Sequence, residues 1–254
     1  MEKIKISAVI LTFNEEKKIE CCLKSLSWVD EIIVVDSYSA DATLEICNKY
    51  QTKIFKRKFD NFSSQRNFAI SKATGDWIIM VDADEEITKE LAYEIKETLQ
   101  KYNDIDGYYI PRLNISFGKL LRYGMNSPDY TFRLFKRDKV KYMKEVHEIP
   151  IITSEKVGYL KHPIIHRNYQ SISEYLPKLN FYTDLEAKEM LKNKQKISWL
   201  RIIFFPIIRF IWSYFIKNGW RDGFAGFLMS LYGSIYMITK YLKYKELTKN
   251  KKCE

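Results

Sequence analysis

Four short β-branched runs, each followed by a stretch with helical character, fill the first hundred residues, and this alternation limits the fold more than any other feature of the chain. Residues 6–12, 31–36, 53–55 and 77–81 read as strands. Between them, residues 15–26, 41–50 and 63–73 read as helices, with Asn14, Ser39 or Asp41, and Ser63 as N-caps. The order βαβαβαβ predicts a parallel sheet with crossover helices, an α/β fold. In open sheets of this kind ligands bind beyond the carboxyl ends of the strands. No G-x-G-x-x-G follows the first run, which weakens a dinucleotide-cofactor reading.

The polar residues of interest stand where that rule puts them. Thr12-Phe13-Asn14-Glu15 follows the first strand, Asp36-Ser37-Tyr38-Ser39 the second and Asp82-Ala83-Asp84-Glu85-Glu86 the fourth. Two carboxylates at i and i+2 in a turn after a buried strand can both face the crevice and offer hard oxygen ligands to a divalent cation. A cation there would bridge the phosphates of a nucleotide-sugar and neutralise a leaving diphosphate. An acidic turn also favours the start of the following helix, here residues 88–101, so the D-x-D turn alone leaves both readings open. Further strands are expected at 107–111 and 130–135 with an aromatic, basic loop between them. Ser171-Ile172-Ser173-Glu174 is a capping-box pattern opening a helix towards Leu191, with Leu176, Leu179, Tyr182 and Leu185 on its apolar face.

The net charge of +10 sits in one place. Residues 1–191 hold 29 Lys and Arg against 29 Asp and Glu, whereas residues 192–254 hold 13 against three. This predicts a body at 1–191, divided into a nucleotide-binding half (1–100) and a second half (101–191), and a basic helical tail at 192–254. The run 197–216 is strongly apolar but contains Arg201, Pro206 and Arg209, and a charge at the centre of a spanning helix costs a few kcal/mol. The uncharged run 224–238 is shorter than the roughly 20 residues a span needs. Two amphipathic helices lying in a membrane interface, flanking residues 219–223, are therefore expected, with residues 197–245 as the membrane-facing segment. The alternative is a helical pair packed on the core or on a twin subunit. A nucleic-acid partner is not expected, because the charge excess lies among Trp, Phe and Ile in helix-like runs. Cys21, Cys22, Cys47 and Cys253 form no C-x-x-C pair, so neither a zinc site nor a disulfide framework is indicated.

Four blocks in order resemble glycosyltransferase family 2, inverting enzymes with a GT-A fold. They are Val9-Ile10-Leu11-Thr12-Phe13-Asn14-Glu15-Glu16, then Glu31-Ile32-Ile33-Val34-Val35-Asp36-Ser37-Tyr38-Ser39-Ala40-Asp41, then Gln65-Arg66-Asn67, and Gly75-Asp76-Trp77-Ile78 leading into Asp82-Ala83-Asp84. The resemblance implies a nucleoside diphosphate sugar donor, usually uridine-linked, with Thr12, Phe13, Asn14, Glu15, Asp36 and Ser39 around the base and ribose. It implies Asp82 on ribose or metal, Asp84 as the main ligand of Mg²⁺ or Mn²⁺, and Arg66 and Asn67 near the diphosphate. His166 stands where some such enzymes supply a late metal ligand. Val146-His147-Glu148 departs from the family's usual Glu-Asp pair and resembles the lipopolysaccharide-core β-1,4-glucosyltransferase-like subgroup. There Glu148 is the expected general base, with His147 the rival because a neutral imidazole can also accept a proton near pH 7.

The expectation is thus a metal-dependent hexosyltransferase acting on a lipid-linked saccharide acceptor, peripheral on the cytoplasmic face of the membrane. Its rivals are a sugar nucleotidyltransferase, which usually carries a glycine-rich loop after the first strand, and a catalytically silent scaffold docked to a membrane by its tail.

Overall fold

In a computed structural model of the protein the described residues are 3–101, 104–125, 129–143, 149–152 and 156–250. The elements run β1 (Ile6–Thr12), α1 (Ile19–Ser25), β2 (Glu31–Asp36), α2 (Thr43–Cys47), β3 (Thr52–Lys56), α3 (Phe62–Lys72), β4 (Trp77–Asp82), β5 (Glu85–Ile87) and α4 (Lys89–Lys101). They continue through β6 (Gly107–Ser116), β7 (Lys119–Leu121), β8 (Tyr130–Lys136), β9 (Val140–Met143), β10 (Ile149–Ile152), β11 (Val157–Tyr159) and β12 (Ile164–Arg167). Three helices follow: α5 (Ile172–Lys192), α6 (Trp199–Ile211) and α7 (Gly223–Asn250). The chain divides into two compact units, Met1–Leu113 with Asp129–His166, and Asn114–Pro128 with Arg167–Glu254. The change in charge at 191/192 therefore falls inside the second unit, at the end of α5.

The first unit is built on β1. It pairs in parallel with β2 on one side and β4 on the other, and β2 pairs in parallel with β3. The sheet then turns antiparallel, β4 to β8 and β8 to β6. The alternation in the sequence thus accounts for the parallel half, and a mixed sheet results. Its central strands are near-continuous apolar runs because both faces are covered. Ala8, Ile10, Ile79 and Val81 pack with Ile19, Leu23, Leu91 and Ile95 of α1 and α4 on one face. Val9, Ile33, Ile78 and Met80 pack with Ala69 and Ile70 of α3 and with Phe132 and Phe135 of β8 on the other.

Helix starts differ from the sequence expectation for local reasons. Asn61, not Ser63, caps α3, its side chain accepting from the Ser64 N–H at 2.8 Å. Residues 15–18 make a turn ahead of α1, where the N–H groups of Glu15 and Glu16 are bound by the side chains of Thr43, the first residue of α2, and Asp41 just before it. Ser171 does cap α5, and Glu174 reaches back to the Gln170 N–H at 3.0 Å. The buried face of that helix is Tyr175, Leu179, Thr183, Glu186, Ala187 and Met190, a rotation from the expected one that leaves Leu176 exposed.

In the second unit the end of β6 and β7 form a hairpin through Phe117 and Gly118, both at positive φ, as a two-residue turn of the twist-compatible kind requires. Helices α5 and α6 both pack on α7. Helix α6 passes into a π-helical turn at Trp212–Ile216, and a 3₁₀ turn at Gly219–Asp222 leads into α7. Two helices flanking residues 219–223 are the expected arrangement. Trp199–Ile216 is long and apolar enough to cross a membrane by length and composition, and it is 11% buried.

At the amino end of the sheet, Glu31 ties four segments together. Its carboxylate accepts from Ser7 Oγ at 2.6 Å, Lys53 Nζ at 2.6 Å, and the N–H and hydroxyl of Thr74 at 2.9 and 3.1 Å. Gly75 donates its N–H to the same Ser7 hydroxyl, and a Cβ there would lie 2.9 Å from the Lys5 carbonyl oxygen, so this crossing needs glycine. Burial alone would push the Glu31 carboxyl up, but Lys53, Ser7 and Thr74 together hold it at about 2. A lowered folded value means that the stabilisation is complete above the unfolded value of about 4.3 and is lost as pH falls towards 2. Wild-type protein should lose on the order of 2 kcal/mol through this window in urea titrations, and Glu31→Gln should flatten that part of the profile.

Candidate active site

The strand register brings the polar ends together. Thr12 lies opposite Asp36 across β1 and β2, and Leu11 lies opposite Asp82 across β1 and β4, so the carboxyl ends of three parallel strands stand abreast. The loops leaving β1 and β2 are then stitched to each other. Asn14 donates its N–H to Ser39 Oγ at 2.9 Å and accepts the Ala40 N–H on its side chain at 2.8 Å. Glu15 donates its N–H to Thr43 Oγ1 at 2.8 Å, and Glu16 exchanges bonds with Asp41 and Ala42. Asn14 and Tyr38 take positive φ, a conformation asparagine tolerates better than most residues.

Fully buried Asp36 is the anchor of this lattice, accepting from the backbone N–H of Ser39 at 2.9 Å and from the Ser39 hydroxyl. Phe13 and Tyr38 flank the strand ends as exposed aromatics. Thr12 is buried, and its hydroxyl has no hydrogen-bond partner among the described residues. The segment therefore offers a rigid rim of aromatic faces and backbone groups, and Ser39 and Asn14 act as its fasteners.

Beyond β4 lies a buried cluster of charges. Asp82 Oδ1 accepts from Arg66 Nη2 at 3.1 Å, and Asp82 Oδ2 is bound by Arg133 Nη2. The same Arg133 nitrogen reaches Glu85 Oε1 at 2.9 Å, which Arg112 Nη1 approaches at 3.2 Å. Glu85 Oε2 accepts the Asp82 N–H at 2.9 Å, and Arg112 is held from its other side by Asp129 at 2.7 Å. Helix α3 supplies Arg66, whose guanidinium also lies 5.5 Å from the centre of the Tyr142 ring. Strand β8 supplies Arg133, and β6 supplies Arg112. Burial alone would raise the Asp82 carboxyl, but Arg133 and then Arg66 hold it well below the ordinary carboxylate range. Burial likewise works against the charge on Arg133, and Asp82 and Glu85 overcome it, holding the guanidinium protonated.

Asp84 is placed differently from Asp82. Antiparallel pairing of β12 with β5 sets His166 opposite Glu85, and His166 Nε2 comes within 3.6 Å of Asp84 Oδ1. Both side chains are 11% exposed. A hard carboxylate oxygen facing an imidazole nitrogen is a donor pair that suits Mn²⁺ or Mg²⁺ when the remaining ligands come from phosphate and water. Among the described residues no group of three or more His, Cys, Asp and Glu is arranged to hold a metal. The fit is thus to a cation brought with a diphosphate, at Asp84 and His166. Both oxygens of Asp82 are occupied by guanidiniums.

Several sequence candidates have other occupations. Asn67 gives its amide to the backbone of Tyr142, donating to the carbonyl at 2.8 Å and accepting the N–H at 2.9 Å, so it clamps β9 onto α3. His162 binds Glu94 at 2.9 Å on the surface. Cys22 is a buried free thiol pushed up by burial and then by Glu85, Asp84 and Asp82, an unreactive state. His147 and Glu148 lie outside the described residues. Arg133 and Arg112 were not singled out in the sequence, and Glu85 was marked only as part of the turn after the fourth strand. The available signal was an arginine in the middle of the aromatic strand Tyr130–Lys136, since a guanidinium in a buried strand requires a buried anion.

The family profile for glycosyl transferase family 2 matches residues 7–162. The chain belongs to that family. The match spans β1 to the segment before β12 and includes every carboxylate and arginine of the cluster. The chain is 31% identical over 264 residues to an uncharacterized glycosyltransferase of Rickettsia felis, covering 96% of this chain and 89% of the relative. It is 28% identical to the lipopolysaccharide core biosynthesis glycosyltransferase LpsC of Rhizobium meliloti, covering 92% and 89%. Among solved structures, glucosyl-3-phosphoglycerate synthase from Mycobacterium tuberculosis, in a complex with Mn²⁺, UDP and glucosyl-3-phosphoglycerate, superposes with a TM-score of 0.52 at 15% identity. That likeness covers 77% of this chain and 82% of the other. The fold is GT-A, and the protein is a family 2 glycosyltransferase with a relative in lipopolysaccharide core assembly.

Removing one member of a buried ion cluster leaves its partners uncompensated, at a cost of about 3–5 kcal/mol. Arg133→Met should therefore lower the unfolding free energy by about that amount in urea, and Arg57→Met, at a half-exposed pair, by less than about 1 kcal/mol.

Proposed function

We propose that this family 2 glycosyltransferase is an inverting hexosyltransferase using a nucleoside diphosphate sugar, uridine-linked, and a lipid-linked saccharide acceptor in envelope glycolipid or polysaccharide assembly. The observation that carries the reading is the strand-end constellation of a stitched aromatic rim, paired guanidiniums and the Asp84–His166 pair. The segment Thr12-Phe13-Asn14-Glu15, with Asp36 and Ser39, forms the base and ribose side. Arg66 and Arg133 face the diphosphate as planar, permanently charged donors, and Asp82 orients both of them. Asn67 contributes by fixing β9, and with it Tyr142, against α3.

Asp84 and His166 would hold Mg²⁺ or Mn²⁺, which when bound supplies positive charge to the leaving diphosphate. The solved mycobacterial synthase complex, with its Mn²⁺ and UDP, supports this pairing of cation and nucleotide on the same fold. Glu148, with His147 as the alternative, takes the proton of the acceptor hydroxyl as that oxygen bonds the anomeric carbon from the face opposite the departing nucleoside diphosphate. LpsC supports an envelope saccharide as acceptor. The exposed apolar row of α6 and the basic composition of residues 192–254 support a peripheral position on the cytoplasmic face of the membrane.

The test is a panel of nucleotide-sugars assayed for Mn²⁺-dependent release of nucleoside diphosphate, with a membrane extract as acceptor source. Wild-type protein should turn over at least one uridine-linked donor. Asp84→Asn should reduce that rate on the order of 10²-fold. An unchanged rate in Asp84→Asn would remove the metal assignment, and silence across the panel would favour a scaffold role.

A further inference from the structure

The turn Gly219-Trp220-Arg221-Asp222-Gly223 belongs to the second unit and supplies none of the residues assigned above to the transfer. It is packed backbone against backbone. A Cβ on Gly219 would lie 2.7 Å from the Ser213 carbonyl oxygen, and one on Gly226 only 1.9 Å from the Gly219 carbonyl oxygen. Buried Asp222 turns inward, where Oδ2 accepts the N–H groups of Arg122 and Tyr123 at 3.0 and 2.9 Å. Gly124 donates its N–H to the Lys217 carbonyl at 2.9 Å. These three bonds fasten the segment after β7 to the turn between α6 and α7.

The consequence is a cationic corner. Lys119, Arg122, Lys217 and Arg221 are all exposed there, while the carboxylate within the turn is spent on backbone amides. Arg221 stacks 4.8 Å over the Tyr123 ring, and the Lys119 ammonium lies beside Gly223, 3.3 Å from where a Cβ would be. Large apolar side chains surround these charges: Phe215, Ile216, Trp220 at 53% exposure and Phe224 at 74%. An exposed row along α6 continues them through Trp199, Ile203, Phe204, Ile207, Ile208 and Ile211. Arg201 lies over Phe205 and Tyr241, and Arg209 lies beside Gly233 of α7.

An apolar strip ending in a fixed cluster of cations and aromatics complements the boundary between acyl chains and acidic headgroups. We infer that this corner is the docking point for the anionic headgroups of a lipid bilayer, with α6 lying along the interface beside it. This deepens the membrane reading above, on which it rests, by assigning anionic-lipid preference to Arg122, Lys217 and Arg221.

The full chain should be floated with phosphatidylcholine vesicles, and with vesicles in which phosphatidylglycerol makes up about a third of the lipid. Wild-type protein should partition more strongly to the anionic vesicles. A variant carrying Arg122→Gln, Lys217→Gln and Arg221→Gln keeps the backbone bonds of the corner and should melt as wild type does. Its affinity for anionic vesicles should fall roughly fivefold per charge removed, with neutral-vesicle binding unchanged. Phe204→Ser with Ile208→Ser should weaken binding to both vesicle types. If the triple variant retains the anionic preference, or the wild type floats equally with both, the corner assignment is overturned while the membrane reading stands. If the wild type floats with neither and sediments as a dimer that Phe204→Ser with Ile208→Ser disperses, a second copy is the occupant and both readings fall.

Discussion

Asp82 is held between two guanidiniums at the end of a strand covered on both faces, and the geometry of the proposed transfer site depends on that interaction. A carboxylate in this position cannot remain ionised without a partner, and a guanidinium cannot lose its charge, so the two define each other. Arg66 arrives from α3 and Arg133 from β8, which ties the parallel half of the sheet to the antiparallel half. Glu85 extends the arrangement by binding Arg133, Arg112 and the Asp82 backbone at once. Such a cluster contributes little net stability, because desolvation offsets much of the attraction. In the proposed site it provides orientation, with planar donors fixed before a substrate arrives.

The two aspartates of the D-x-D turn consequently have different surroundings. Asp82 is spent on arginines, and Asp84, turned towards His166, has the surroundings of a cation ligand. Sequence spacing cannot separate these roles, since i and i+2 in a turn are equivalent until β5 and β12 pair and bring His166 across. What distinguishes the two aspartates structurally is β12, a strand distant in sequence.

The parallel half of the fold was legible because buried parallel strands are unbroken apolar runs, and β1 to β4 fall within a residue of where those runs lie. The rim was legible as well, since Thr12 and Asp36 end their strands and Asn14 and Ser39 follow close behind. Features set by partners distant in sequence were not. The clamp between Asn67 and Tyr142 joins residues 75 apart, and nothing local marks it. Arg133 and Arg112 are single basic residues in aromatic strands, and their partners are fixed only by sheet order. The face of α5 was displaced because Glu186 is buried, where Lys240 and Tyr236 of α7 satisfy it, and an apolar periodicity cannot anticipate a buried carboxylate. The charge asymmetry of the tail was visible at once, but the meeting of Lys217 and Arg221 with Lys119 and Arg122 required the bonds from Asp222 to the loop after β7.

The division of labour between Asp82 and Asp84 is the central claim, and Mn²⁺ can be located directly. Crystals grown with UDP and Mn²⁺ should give an anomalous difference peak within bonding distance of Asp84 and His166, with Asp82 still engaged by Arg66 and Arg133. A peak bound by Asp82, with Arg66 and Arg133 released and His166 turned away, would contradict the account.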